Sequence, residues 1–455
     1  MKRKTRFSLA FATLVVAALV VLTIVRWGAW FGNPPEAPYL PEPTPQRILL
    51  TFGNDGPCSR LLSWVCDTVV RPSYIELHDS TINTQVCLPA EGEVFVSRSG
   101  KAAYYHAALP QLEAGHVYGY RVQSGKAVSS WHRFAMPCHD SRQPGDFEFL
   151  YFGDVQDSLG GDTHRLVMNA WRMHPDVEFA LFGGDLIERP THEYWNEAFR
   201  GIDSLAQSLP ILAVTGNHEY LKYPIRKLEH RFALTFPYFL ASKRDENHVY
   251  TLPYRDAQLY LLDSNRELPF LTAQRNWLSK SLEESRARWN IVALHHPIYS
   301  AKGTSNNLVH RALFAEMLND NVDLVLQGHE HAYARMTQCD DQGRKTTPVY
   351  LVSHCSPKHY RIQLDERFDR YGTGHQYYQT ICVSGNTLAL RSYDAHTHAL
   401  YDAIDIVKGE HDQSIIVDRA KNIPERLDFQ ARPGNKKDAA FAQRIADYKR
   451  KKGLK

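Results

Sequence analysis

FEFLYFGDVQD at residues 147–157 and VEFALFGGDLIE at 177–188 each run a stretch of apolar, β-prone residues into a glycine and an aspartate. A continuous apolar run of this length, ended by Gly-Asp, reads as a strand buried on both faces and closed by a turn. The pattern returns in PILAVTGNHE (210–219), NIVALHHP (290–297) and VDLVLQGHEH (322–331). Amphipathic segments near 163–174, 193–207, 272–287 and 308–319 alternate with these runs, and stretches at 248–263 and 376–406 read as hairpins. Strand-helix alternation predicts parallel strands covered by helices, and the hairpins add antiparallel ones. The expected fold of residues 146–407 is therefore α/β, with mixed, sandwich-like sheets flanked by helices.

Upstream, residues 70–140 carry short β-rich runs separated by turns (SYIELHD, GEVFVSR, AYYHAAL, VYGYRVQS), which predict a small all-β sandwich. Residues 32–46 hold six prolines, so 32–69 reads as a stiff linker. Residues 7–25 form an uncharged apolar run of 19 residues preceded by Lys2, Arg3, Lys4 and Arg6. Within residues 1–31 this is a signal anchor that spans the membrane and leaves the rest of the chain extracytoplasmic, on the periplasmic or cell-surface side, or secreted if the segment is cleaved. Residues 408–455 read as a basic C-terminal tail with a weak helix at 438–451.

With 455 residues, 43% of them hydrophobic, the chain is globular and long enough for two folded units. Its net charge of +3 is uneven: residues 1–6 contribute +4 and residues 408–455 contribute +6, leaving −7 between them. A middle of that sign argues against nucleic-acid binding, which depends on clustered Lys and Arg. Seven cysteines suit either an oxidising compartment, with Cys58–Cys66 or Cys339–Cys355 as pairings, or chance, and no CxxC spacing points to a thiolate zinc site.

The five strand-end motifs supply Asp154, Asp185, Asn217, His295, His329 and His331. Any one motif alone reads equally well as a turn, with glycine at positive φ and aspartate capping a helix. Together they place six oxygen and imidazole donors at the carboxyl ends of strands, where open α/β sheets bind ligands. Two metal ions about 3.5–4 Å apart clamp the attacking and leaving oxygens of a phosphoryl transfer, and such a pair needs a shared carboxylate. Asp185 is the expected bridge, with Asp154 and His331 on one ion and Asn217, His295 and His329 on the other. Mixed oxygen and nitrogen donors without thiolate suit Fe, Zn or Mn.

In order and spacing these motifs resemble the calcineurin-like metallophosphoesterase superfamily, in particular its purple acid phosphatase-like branch. YYHAALPQLEAGHVYGYRVQSG followed by WHRF resembles the end of that branch's fibronectin III-like domain, and EYWNEAF, LYLLDS and AQRNWL add matches across roughly 70–407. The resemblance implies hydrolysis of a small phosphorylated substrate, a phosphate monoester, by a metal-held hydroxide, with His218 as general acid. It leaves a phosphodiesterase acting on nucleotides or lipid headgroups as the alternative, set by loops near 156–165, 222–248 and 300–310, and a non-catalytic surface-binding protein as a further one. The branch carries a metal-binding tyrosine three residues after the bridging aspartate and a glycine at the end of its first motif. Here Glu188 and Gln156 occupy those places, so each is a candidate replacement ligand of the first ion. His296, next to a ligand, is a possible substrate contact, and His164, Arg189, His192 and His354 are weaker candidates.

Overall fold

The computed structural model describes residues 2–53, 56–109, 111–140, 142–238, 248–409 and 413–454. Met1 of the expected anchor, 54–55 of the linker, Pro110 of the sandwich, 239–247 of the 222–248 loop and 410–412 and 455 of the tail lie outside the described residues. The first element is a helix, Lys2–Phe31, in which Phe11–Phe31 forms a 21-residue apolar window with none of it buried by the rest of the chain. At 1.5 Å per residue such a window reaches about 30 Å, the thickness of a bilayer's hydrocarbon core.

The expected linker needs correcting. Strands Gln46–Gly53 and Gly56–Val65 lie inside it and open the N-terminal sheet. Their apolar residues do not alternate with polar ones because both faces are covered. Ile48 and Leu50 enter the sandwich core beside Trp64 and Tyr120, whereas Leu49 and Phe52 join the core of the following unit. A strand buried on both sides lacks the period-2 signal that marks a half-exposed one. The proline-rich part is no free spacer either. The Glu36 carboxylate accepts from His192 N at 2.7 Å and pairs with Arg231 at 2.6 Å, with both side chains at most 1% exposed. Asn33 exchanges two 2.8 Å hydrogen bonds with the backbone of Lys222.

The N-terminal sheet folds into two layers because Thr84–Ser97 pairs through its first half with Ser73–Asp79 and through its second half with Gly100–Leu109. Beyond it, two mixed sheets lie face to face. The first has Phe147–Phe152 and Phe179–Phe182 parallel to Ile211–Ala213, continued by the antiparallel meander Tyr377–Ser384, Thr387–Asp394, Leu400–Lys408 and Ser414–Asp418. The second runs Ala257–Leu261, Trp289–Leu294, Leu324–Gln327 and Lys345–Val352 in parallel. Here period 2 governs burial: Leu259, Leu261, Ile291, Ala293, Leu324 and Leu326 face the first sheet, and Tyr260, Leu262, Val292, Leu294 and Val325 face a helical layer. That layer contains Leu268–Glu284 and Leu308–Asn321. The expected helix at 193–207 is instead two, His192–Phe199 and Asp203–Ser208, parted at Gly201, whose φ of +89° ends the first.

Residues after Lys408 are not a solvated tail. Ser414–Asp418 extends the first sheet, Arg426–Leu427 extends the second, and helix Lys436–Lys452 buries Phe441, Ile445 and Tyr448 against it. Three apolar side chains among so many charges gave too little contrast to mark a core-facing stripe.

All seven cysteines are free thiols. Cys58 lies in Gly56–Val65 and Cys66 directly follows it, so about 26 Å of extended chain separates them, against the roughly 7 Å that a disulfide tolerates between Cα atoms. Cys339 lies opposite Lys345, with the whole strand Lys345–Val352 between that point and Cys355.

A buried polar clasp joins the two sheets. Arg335, on Tyr333–Cys339, contacts Asp402 at 2.6 Å and Asp418 at 3.2 Å, both on the opposite sheet, and Asp369 at 3.5 Å. Removing one partner of such a pair strands a buried charge at a cost of about 3–5 kcal/mol. Asp402→Ala should therefore lower unfolding free energy by that amount in a denaturant titration, and a loss under about 1 kcal/mol would show that the clasp is not a main support.

Candidate metal centre

Five strands deliver the site. Asp154 follows Phe147–Phe152, Asp185 follows Phe179–Phe182, Asn217 follows Ile211–Ala213, His295 follows Trp289–Leu294, and His329 and His331 follow Leu324–Gln327. The turns approach so closely that side chains would not fit between them. A Cβ on Gly216 would fall 2.1 Å from Asp185 N, and one on Gly184, which sits at φ +90°, would fall 2.8 Å from both Gly216 N and His295 Nδ1.

The six residues form one connected cluster. Asp185 Oδ2 lies 3.2 Å from His295 Nε2, which lies 3.3 Å from Asn217 Oδ1, itself 2.9 Å from His329 Nδ1. His329 N donates to Asp154 Oδ1 at 2.5 Å, and Asp154 Oδ2 lies 3.0 Å from His331 Nε2. Donor atoms of Asp185, His295 and His329 all fall within 4.8 Å of one another. His295 Nδ1 donates to Gly183 O at 2.9 Å, which turns Nε2 toward the cluster, the orientation of a metal-binding imidazole.

The electrostatics suit cations. Asp154 and Asp185 are buried, and among the described residues neither is paired with Lys or Arg. Burial opposes their ionisation, but the neighbouring His331 and His295 hold Asp154, and His295 and His218 hold Asp185, below the usual carboxylate range. Burial likewise disfavours a charged His295, yet Asp185 and Asp154 together push it up to about 10. His329, buried beside cationic His295, is pushed down to about 3. Among the described residues, Gln156 Oε1 is buried without a hydrogen-bond partner and Asp154 Oδ2 faces only His331 Nε2. Such acceptors beside two uncompensated carboxylates fit a site built for metal ions.

The two replacement-ligand expectations separate. Gln156 is buried with its amide 3.0 Å from His331 Nε2, within the Asp154 end of the cluster. The Glu188 carboxylate contacts Lys358 Nζ. Glu188 contributes through its backbone: its carbonyl lies 2.6 Å from His218 Nδ1. His218 N donates to Asp185 Oδ1 at 2.8 Å, and His218 Nε2 stands 3.9 Å from Asp185 Oδ2 on a partly exposed ring. His296 borders His329 at 4.4 Å between ring centroids, stacks on His310 at 5.0 Å and holds Ser264 Oγ at 3.0 Å. Burial drives its imidazole to the neutral form.

The weaker candidates have other surroundings. His192 is buried and stacked on Tyr39, and His164 packs against Gly201. Arg189 is exposed. His354 lies beside the cluster, 5.5 Å from the His331 ring, in the segment that bridges to Asp154. Sequence reading missed Glu219, whose carboxylate accepts from Asp185 N at 3.0 Å, Gly216 N at 2.7 Å, Leu186 N at 2.8 Å and Ile187 N at 3.3 Å. Burial and Asp185 push its carboxyl up to about 8, while those backbone donors pull the other way. GNHE contained the signal, an acid right after the site residues, but only the turn geometry shows what it holds. Tyr360, whose ring lies 4.5 Å from that of His331, follows no strand-end motif and had no signal.

The family model for calcineurin-like phosphoesterases matches residues 147–333, which contain all six cluster residues. A phosphoenolpyruvate phosphatase of Allium cepa is 25% identical over 414 residues, covering 83% of this chain and 81% of that protein. The Fe(3+)-Zn(2+) purple acid phosphatase 12 of Arabidopsis thaliana is 24% identical over 343 residues, 68% of this chain and 71% of that one. Among solved structures, a purple acid phosphatase from yellow lupin (Lupinus luteus) seeds superposes with a TM-score of 0.68 at 16% identity, covering 81% of this chain and 75% of that one. Residues 147–333 thus form a calcineurin-like phosphoesterase domain, in a chain similar to purple acid phosphatases over most of its length.

Proposed function

We propose that this chain hydrolyses phosphate monoesters at a two-metal centre that Asp154, Asp185, Asn217, His295, His329 and His331 would hold, with Asp185 as the carboxylate both ions would share. The observation that carries the reading is the burial of two carboxylates among imidazoles, with no Lys or Arg to balance them among the described residues. Gln156 is assigned to the first ion beside Asp154 and His331, on the strength of its orphaned Oε1. Bound Fe, Zn or Mn ions supply Lewis-acid stabilisation of the phosphoryl oxygens and lower the pKa of water.

The chain's own residues account for the remaining work. Glu219 ties the 184–187 and 216 turns together, fixing the distance between Asp185 and Asn217. His218 Nδ1 is committed to the Glu188 carbonyl, so Nε2 is the atom that hands a proton to the departing ester oxygen as the P–O bond breaks. His296, neutral and beside His329, lines the substrate's path. The apolar helix is read as a membrane anchor with the catalytic body extracytoplasmic, supported by its length and by the Lys and Arg before it. The fibronectin-like reading of the N-terminal sandwich rests on its closing motif alone.

Metal analysis of protein purified without added metal should give about two ions per chain, and Asn217→Ala should lose at least roughly 10²-fold in p-nitrophenyl phosphate hydrolysis. Full activity in Asn217→Ala would refute the assignment, and faster turnover of bis-p-nitrophenyl phosphate would favour the diester reading. Gln156→Ala should lower the metal content whereas Glu188→Ala should leave it unchanged. The reverse would return Glu188 to the first ion. His218→Ala should cost about 10²–10⁴-fold with glycerol 2-phosphate, whose alkoxide needs a proton, and far less with p-nitrophenyl phosphate, whose phenolate does not. Equal losses on the two esters would rule out general-acid catalysis by His218.

A further inference from the structure

Beside the metal centre lies an open cavity of about 490 Å³, within the range of small-molecule sites. Its shared wall with the centre is Tyr360: the ring sits 4.5 Å from that of His331, and its backbone N–H donates to His331 O at 3.1 Å. Lys302 Nζ lies 4.9 Å from the centroid of the Tyr360 ring and forms no ion pair among the described residues. Further along, Arg361 and Arg432 converge on one carboxylate, that of Asp438, each at 2.6 Å. One acid between two guanidiniums leaves one positive charge in excess, and Lys302 adds a second. No other carboxylate pairs with these three cations among the described residues. A doubly cationic lining is against the trend of a chain whose stretch between residues 7 and 407 carries −7.

We propose that this cavity holds a second phosphate of the substrate while the first reacts at the metal centre, so that the enzyme favours bisphosphorylated small molecules over simple monoesters. The inference rests on the phosphatase reading above. An excess of two positive charges matches a phosphate dianion, and guanidinium and ammonium donors are the groups that bind one. The cavity's far wall, with Arg432 and Asp438, comes from the C-terminal segment, so selectivity is built from chain that follows the last strand of the first sheet.

The test compares fructose 1,6-bisphosphate with p-nitrophenyl phosphate on the full chain. Lys302→Gln should lower the ratio of their kcat/KM values about tenfold, chiefly through KM for the bisphosphate, as expected for one lost charge-assisted contact. Lys302→Arg should restore most of that ratio. An equal loss with both esters, or none with either, would overturn the proposal. If the wild type hydrolysed neither ester, the phosphatase reading would fall. The cavity would then be judged by calorimetry, where Lys302→Gln must weaken fructose 1,6-bisphosphate binding for the proposal to stand.

Discussion

Two carboxylates buried among imidazoles are the constraint on which the rest of this molecule depends. Asp154 and Asp185 lose most of their hydration, and the described residues around them offer no Lys or Arg in exchange. Desolvated acids of this kind are tolerated only where something else supplies positive charge, at a cost several-fold larger than ordinary side-chain contacts contribute. His295 carries part of that burden, so its imidazole is pushed up while burial and His295 together push His329 down. The cluster is thus arranged for cations at the expense of stability, as functional sites commonly are.

Holding such a cluster together demands a rigid frame. Parallel strands ending at one level bring their turns together, and glycines at 184 and 216 allow the backbones to approach within distances that any Cβ would prevent. Glu219 then acts as a staple, since one buried carboxylate gathers backbone donors from two turns. Behind these turns the sheets are fixed by alternation of apolar side chains and by the Arg335 clasp, so each ligand's position is set by packing remote from it. Loops alone could not give this precision.

The parts legible from sequence were those in which one physical signal dominated. Strands ending in Gly-Asp or Gly-His stood out because a buried parallel strand needs a continuous apolar run and a functional turn needs small or polar residues. All six cluster residues came from that signal. Strand Gln46–Gly53 was hidden because it serves two cores at once, with Ile48 facing one and Leu49 the other. The C-terminal helix was hidden by its charges, although Phe441, Ile445 and Tyr448 lie three to four residues apart on one face. The contact of Glu188 with Lys358 is contained in no local pattern, because the two lie 170 positions apart.

The proline-rich strap adds a further consequence. Prolines restrict the chain to extended conformations, which lowers the entropy lost when Asn33, Glu36 and Tyr39 dock on the body. Their partners are Lys222, Arg231 and His192, and Lys222 follows the turn that carries Asn217 and His218 by only a short strand, Tyr220–Leu221. The end of the apolar helix is therefore fixed near the rim of the metal centre by a buried ion pair, instead of wandering on a loose tether.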